Sequence, residues 1–255
     1  MSFLIGLIAG VFGGLVGIGG GVLMIPLMVN IQKLGQHKAH GTSLVALVFT
    51  GIIGAFTYAM HNSVDLWASV LLAGAALWPA RIGAKYCCDL PEIKLKRSFG
   101  IFLIFISVFI LSKPYLPIFS YPVIGLTKSL ILIATGAVTG FLSGLMGVGG
   151  GGVMIAGMVL LAGFEQHLAQ GSSLLAIVPA GIVGAFTHWR RGNVEKGLLK
   201  GLIPGIVLGA FSGGSVAHFF PEFSLRIIFA VVLIWMGVHF IKHPAQTCEP
   251  SDVEI

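Results

Sequence analysis

Gly14-Leu15-Val16-Gly17-Ile18-Gly19-Gly20-Gly21 interrupts an apolar run that carries no charged residue from Met1 to Gln32. Gly144-Leu145-Met146-Gly147-Val148-Gly149-Gly150-Gly151 interrupts a second such run, from Ser129 to Phe164. As straight helices at 1.5 Å per residue these runs would measure about 48 and 54 Å. A bilayer hydrocarbon core is only about 30 Å thick. A glycine cluster near the middle of each run therefore predicts a broken helix or a re-entrant hairpin in place of a straight span.

Outward from these stretches the chain reads as membrane protein throughout. Its 255 residues are 56% hydrophobic and 9% charged, where a soluble domain carries roughly a quarter charged residues. Soluble enzymes and nucleic-acid binders are excluded. Runs free of Asp, Glu, Lys and Arg cover 1–32, 39–64, 66–80, 98–112, 129–164, 166–189, 201–221 and 227–241. The expected architecture is all-α and polytopic, with eight apolar segments. The net charge of +6 resides largely between those segments, as topology-setting cations do. Met1-Ser2-Phe3-Leu4 lacks the basic start of a cleaved signal, so the first segment is expected to stay. Cys87, Cys88 and Cys248 fit neither a disulfide framework nor a zinc site.

The chain also aligns with itself at an offset of 130 residues without a gap. Beyond the glycine clusters, Gln36-His37-Lys38-Ala39-His40-Gly41-Thr42-Ser43-Leu44 falls on Gln166-His167-Leu168-Ala169-Gln170-Gly171-Ser172-Ser173-Leu174. Gly51-Ile52-Ile53-Gly54-Ala55-Phe56-Thr57 falls on Gly181-Ile182-Val183-Gly184-Ala185-Phe186-Thr187, and Asp65 on Glu195. The expected organisation is a first repeat at 1–112, a linker at 113–128, a second repeat at 129–242 and a polar tail at 243–255. Each repeat has four segments and begins with a glycine-broken helix.

Cation placement distinguishes parallel from inverted halves. If the broken segments cross the membrane, the cations divide evenly between its faces. If they re-enter, Lys33, Lys38, Lys85, Lys94, Lys96, Arg97, Arg190, Arg191, Lys196, Lys200 and Lys242 share one face. Only Lys113, Lys128 and Arg226 then lie opposite. The positive-inside rule favours this inverted arrangement, with both termini cytoplasmic.

Inverted repeats with broken helices are a build of secondary transporters, which bind substrate near the bilayer midplane. Gly19, Gly20 and Gly21, and Gly149, Gly150 and Gly151, would place bare backbone N–H groups at helix starts, where anions are favoured. Thr42, Ser43, Ser172 and Ser173 are read as N-cap hydroxyls opening the following spans. Together these residues form the candidate site for a small anion. Gln36, His37, Gln166, His167 and Arg81 are secondary candidates. Simpler readings exist for each group. Gly13, Gly17 and Gly21, at four-residue spacing, suit a close packing face. On these readings the hydroxyls are caps alone, the histidines solvated turn residues and Arg81 a snorkelling cation. Gly147 to Gly152 fits GxGxxG, but no strand precedes it, so no dinucleotide is implied. No cofactor and no resident metal are expected.

These motifs resemble the sulfite exporter TauE/SafE family, also described as toluene-sulfonate uptake permeases. The likeness covers about Phe3 to Ile241. It rests on Gly17 to Pro26, on Ala39 to Leu44 with Ala169 to Leu174, and on the segments that follow each. The resemblance implies a multi-pass inner-membrane permease of bacteria or archaea for sulfite, sulfonates or related organic anions, driven by a proton or sodium gradient. Trp78, Pro79 and Arg81 interrupt a small-residue pattern that is intact at Gly205, Gly209, Gly213 and Gly214, and Ala156 replaces the counterpart of Pro26. The resemblance leaves the direction of transport and the oligomeric state open. A divalent-metal permease using His37, His40 and His167 is the alternative within transport. An intramembrane enzyme lacks any HExxH or GxSxG motif, and a non-transporting scaffold would leave the broken repeats unexplained.

Overall fold

The computed structural model describes residues 1–86, 100–101, 104–105, 107–108, 111–112, 125–146, 150–190 and 192–242. Among them run nine bounded helices: α1 (Ser2–Val16), α2 (Gly21–Gln32), α3 (Gln36–Met60), α4 (Leu66–Tyr86), α5 (Leu126–Met146), α6 (Gly151–Leu160), α7 (Gln166–Arg190), α8 (Lys196–Ala217) and α9 (Glu222–Lys242). The described residues between 100 and 112 are also helical, and no strand occurs among the described residues. Among the described residues, four helices contain stretches long and apolar enough to cross a membrane: Gly41–Met60, Leu126–Ser143, Gln166–Arg190 and Lys196–Ala217. Large apolar side chains such as Phe12, Phe56, Val70, Trp78, Leu130 and Phe186 face outward. A bilayer, unlike water, accepts such a surface.

Both over-long runs are indeed broken. α1 ends where Gly17 turns its N–H back to the Gly13 carbonyl at 3.0 Å. α2 begins after Gly20 at φ 73°, and α6 after Gly150 at φ 65°. That conformation costs an L-residue about 1–2 kcal/mol, so glycine ends one helix and starts the next cheaply. Past the break the chain turns back on itself. A Cβ at Gly20 would strike the Ala9 carbonyl, and Met24 and Met28 share a buried cluster with Ile5 and Ala9. In the second pair Gly150 abuts Thr139 and Gly157 abuts Thr135. As α6 advances its contacts on α5 recede, so the two limbs are antiparallel.

The glycine rows show how the remaining helices pack. Gly6 lies against Leu202 and Ile206, Gly10 against Ile206 and Ala210, and Gly14 against Ala210 and Gly214. α1 and α8 are therefore parallel and in backbone contact, a small-residue interface of the kind that brings membrane helices together. Gly136 meets Leu72 and Gly140 meets Ala76, which gives α5 and α4 the same parallel contact at positions 130 residues away. The packing row on α1 is thus Gly6, Gly10 and Gly14, and not the Gly13, Gly17 and Gly21 of the simpler reading. Gly13 instead faces Gly20 and Thr50. α3 and α7 cross antiparallel: Gly184 meets Leu44, Gly181 meets Leu47, Gly51 meets Val178 and Gly54 meets Leu174.

These pairings interleave the two halves, because α1 rests on α8 and α5 on α4. α5 also starts at Leu126, inside the stretch expected to be linker. Residues 113–124 of that stretch, the turn at 87–99 with its cations, and the polar tail lie outside the described residues. Among the described residues, ion pairs tie the ends, Lys38 to Glu195 at 3.3 Å and Lys128 to Asp65 at 3.6 Å. Both are partly solvated and contribute little, about 0–1 kcal/mol each.

Candidate substrate site

The two hairpin tips meet in the middle of the bundle. A Cβ on Gly151 would lie 3.1 Å from the Ile18 Cα, and one on Gly19 would lie 2.7 Å from Ile177 of α7. Residues 17 to 21, Gly151 and Gly152 are all buried. No side chain caps either α2 or α6. The Gly20 carbonyl serves the Leu23 and Met24 amides and the Gly150 carbonyl those of Val153 and Met154. The amides of Gly21 and Val22, and of Gly151 and Gly152, therefore lead their helices with no helical carbonyl before them. Gly149 lies outside the described residues.

At the first tip the sequence reading missed the residue with most to say. Gln170 is fully buried on α7, with its Cβ, Cα and Cγ against Gly17. Its Oε1 accepts a hydrogen bond from the Tyr58 hydroxyl at 3.0 Å, and the same hydroxyl lies 3.4 Å from the Leu15 carbonyl. The Gln170 amide nitrogen has no partner. Leaving a buried donor unpaired costs about 1–3 kcal/mol, so such groups are rare outside sites that await a ligand or water. One turn on, the Ser173 hydroxyl sits 2.8 Å from the Gly17 carbonyl and 2.9 Å from the Gln170 carbonyl. At the second hairpin the Thr135 and Thr139 hydroxyls, also buried, lack partners. An apolar cavity of about 290 Å³ between the first tip and α9, lined by Phe12, Val16, Ile18, Leu23, Val231 and Trp235 among others, offers no polar group and is no anion site.

The expected capping hydroxyls are placed differently. α3 and α7 begin at Gln36 and Gln166, so Thr42, Ser43, Ser172 and Ser173 lie in the second turn and cap neither helix. Thr42 Oγ1 instead accepts from the Glu195 amide at 3.0 Å, and Ser172 Oγ accepts from the Asp65 amide at 2.8 Å. Each holds the turn that leads into the fourth helix of the other half, α8 for Thr42 and α4 for Ser172. Because α3 and α7 are antiparallel, Thr42 and Ser172 lie about 21 Å apart along the pair. Ser43 is buried on α3. Ser172→Ala should orphan the Asp65 amide, costing about 1–3 kcal/mol and lowering the melting temperature while leaving flux intact. Loss of flux at unchanged stability would show that the hydroxyl contacts substrate instead.

Gln36 and His37 open α3 and Gln166 and His167 open α7, at opposite ends of the antiparallel pair. The side chains of Gln36, His37, His40 and Arg81 lie outside the described residues, and Gln166 is fully buried. His37 and His167 are separated by about 36 Å along the helices. They share no metal site, and among the described residues no group of three or more His, Cys, Asp or Glu is placed to hold a metal ion. His167 is therefore too distant to join His37 and His40 on one metal ion.

A family described as sulfite exporter TauE/SafE matches residues 1–240. The chain belongs to that family. TauE/SafE proteins are membrane transporters, not enzymes, and this one is a multi-pass membrane protein. It is 28% identical to the probable membrane transporter protein YunE of Bacillus subtilis, over 94% of this chain and 98% of that one. It is 30% identical to a probable membrane transporter protein of Haemophilus influenzae, over 95% and 98%. Against the probable membrane transporter protein MJ0441 of Methanocaldococcus jannaschii it is 29% identical, over 76% and 73%. No solved structure matches this TauE/SafE chain.

Proposed function

We propose that this TauE/SafE protein is a secondary carrier for a small sulfur-containing oxyanion, sulfite or an organic sulfonate, built from two inverted repeats. The observation that carries the reading is the unpartnered, fully buried Gln170 amide beside a glycine hairpin tip. In this reading the anion sits between the tips. It accepts from the leading amides at Gly19 to Gly21 and at Gly149 to Gly151 and from the Gln170 amide, while the Ser173 hydroxyl, given to backbone carbonyls, braces Gly17 and Gln170. Helix starts and uncharged donors suit an anion that must also leave.

The inverted arrangement is supported by the antiparallel α3 and α7, since equivalent helices of parallel repeats would run the same way. It also agrees with cation placement. Lys38 with Glu195 falls at one end of the bundle and Lys128 with Asp65 at the other. Both termini would be cytoplasmic. A proton or sodium gradient supplies the driving force.

In proteoliposomes, saturable and gradient-dependent flux of sulfite or a small sulfonate is expected, with sulfate, acetate and zinc as comparisons. Zinc flux without oxyanion flux would overturn the reading.

A further inference from the structure

Three histidines from distant parts of the chain meet at one end of the bundle. His61 follows α3, His167 stands in the first turn of α7, and His218 follows α8. The His61 and His218 rings stack with centroids 3.9 Å apart, and His167 and His218 at 5.1 Å. The Tyr58 ring lies against His218 at 4.8 Å. His218 Nδ1 is 2.8 Å from the Gly214 carbonyl and His61 Nδ1 is 3.0 Å from the Thr57 carbonyl. Both carbonyls accept, so each ring carries its hydrogen on Nδ1 and leaves Nε2 open to a proton. The Ser63 hydroxyl donates to the His61 carbonyl at 3.2 Å, and its oxygen lies 3.4 Å from His218 Nε2.

We propose that His61, His167 and His218 form a proton-binding site that closes this end of the bundle when neutral and releases it when protonated. Stacked imidazoles tolerate one another uncharged, and each added charge repels the next ring. Among the described residues no acid neutralises that charge. Asp65, at the start of α4, is taken up by Lys128 of α5 and by the Ala68 amide. Glu165, before α7, points to solvent, and the charges acting on His218 are those of His61 and His167. Burial is the largest influence on His218 and lowers its pKa below the ordinary histidine value. The Gly214 hydrogen bond opposes this and the two neighbouring rings reinforce it. A base whose pKa is lowered on folding stabilises the packed form fully above its usual value of about 6.5. That contribution disappears as pH falls through the lowered value.

The cluster is linked to the substrate site, and this part rests on the carrier reading. Tyr58 touches His218 with its ring and holds Gln170 and the Leu15 carbonyl with its hydroxyl. Opening the stack loosens the first hairpin tip. The device is one-sided: the repeat counterparts of His61 and His218 are Arg191 and Cys88.

The test is hydrogen–deuterium exchange on the protein in nanodiscs without substrate, corrected for the intrinsic pH dependence of exchange. Between about pH 7.5 and about pH 5.5, residues 57–64 and 214–220 should lose protection about tenfold. His218→Gln should remove that step. A flat wild-type profile, or a full step retained in His218→Gln, overturns the proposal. If His218→Gln does not fold, the exposed His61→Gln serves: a reduced step supports the proposal and an unchanged one overturns it. Because no substrate is present, failure of the carrier reading appears only in the flux assay.

Discussion

Gln170→Leu is expected to weaken oxyanion transport by roughly one to two orders of magnitude in apparent affinity while leaving a folded, extractable protein. Leucine is close to glutamine in size, so the contact with Gly17 survives, and the buried amide that lacked a partner disappears with its desolvation cost. The Tyr58 hydroxyl keeps the Leu15 carbonyl within reach at 3.4 Å. Stability should therefore change by less than about 1.5 kcal/mol. Removing a donor that meets charge typically costs binding about 1.5–3 kcal/mol, or roughly ten- to hundredfold in apparent affinity. Concentration-dependent uptake at matched protein density checks this. Wild-type kinetics in a stable Gln170→Leu protein would remove Gln170 from the site.

Gly10→Leu should have the opposite profile, with loss of the fold and not of one step. The first added carbon would lie 2.8 Å from the Ile206 carbonyl and 3.0 Å from the Ala210 amide nitrogen, both backbone atoms that cannot turn aside. α1 and α8 must separate to admit even a methyl group, and a leucine asks for far more. Overpacking in ordinary cores costs about 1–3 kcal/mol, and a rigid backbone on both sides puts this site at or beyond the upper end. Yield of monodisperse protein after mild extraction is the measurement. Gly74→Leu, with nothing within 4 Å of its added carbon, is the control that should purify normally. Equal yields would mean that α1 and α8 do not touch as described.

The glycine breaks were legible because charge-free runs of that length cannot be straight spans, and the 130-residue offset showed them twice. The start of α3 was misread. Lys38 bounds the start of the charge-free run 39–64 and made Gly41-Thr42-Ser43 look like a helix entry, whereas the turn lies earlier, at Lys33 with φ 53° and the extended Gly35. The hydroxyls then found work in turns of the other half, a pairing over 153 residues for Thr42 that no local pattern announces. Gln170 appeared in the sequence only as the residue standing where the first half has His40. Its importance comes from Tyr58, 112 residues away, and from a tip that reaches it only after the chain has folded back. The histidine stack was hidden for the same reason, since each ring sits near a different helix end.

The parallel embrace of α1 and α8 also sets an order of assembly. The glycine face of α1 matches residues roughly 200 positions later in the chain, which at 5–20 residues per second are made on the order of 10 to 40 s afterwards. Its counterpart, α4 on α5, needs far less waiting. During synthesis the second half's hairpin can therefore dock early, while the first hairpin stays in the lipid with its narrow side uncovered. A nascent chain stalled before residue 200 would hold half of the finished pairing, and its first helix would be the segment most open to a quality-control protease or to the wrong neighbour.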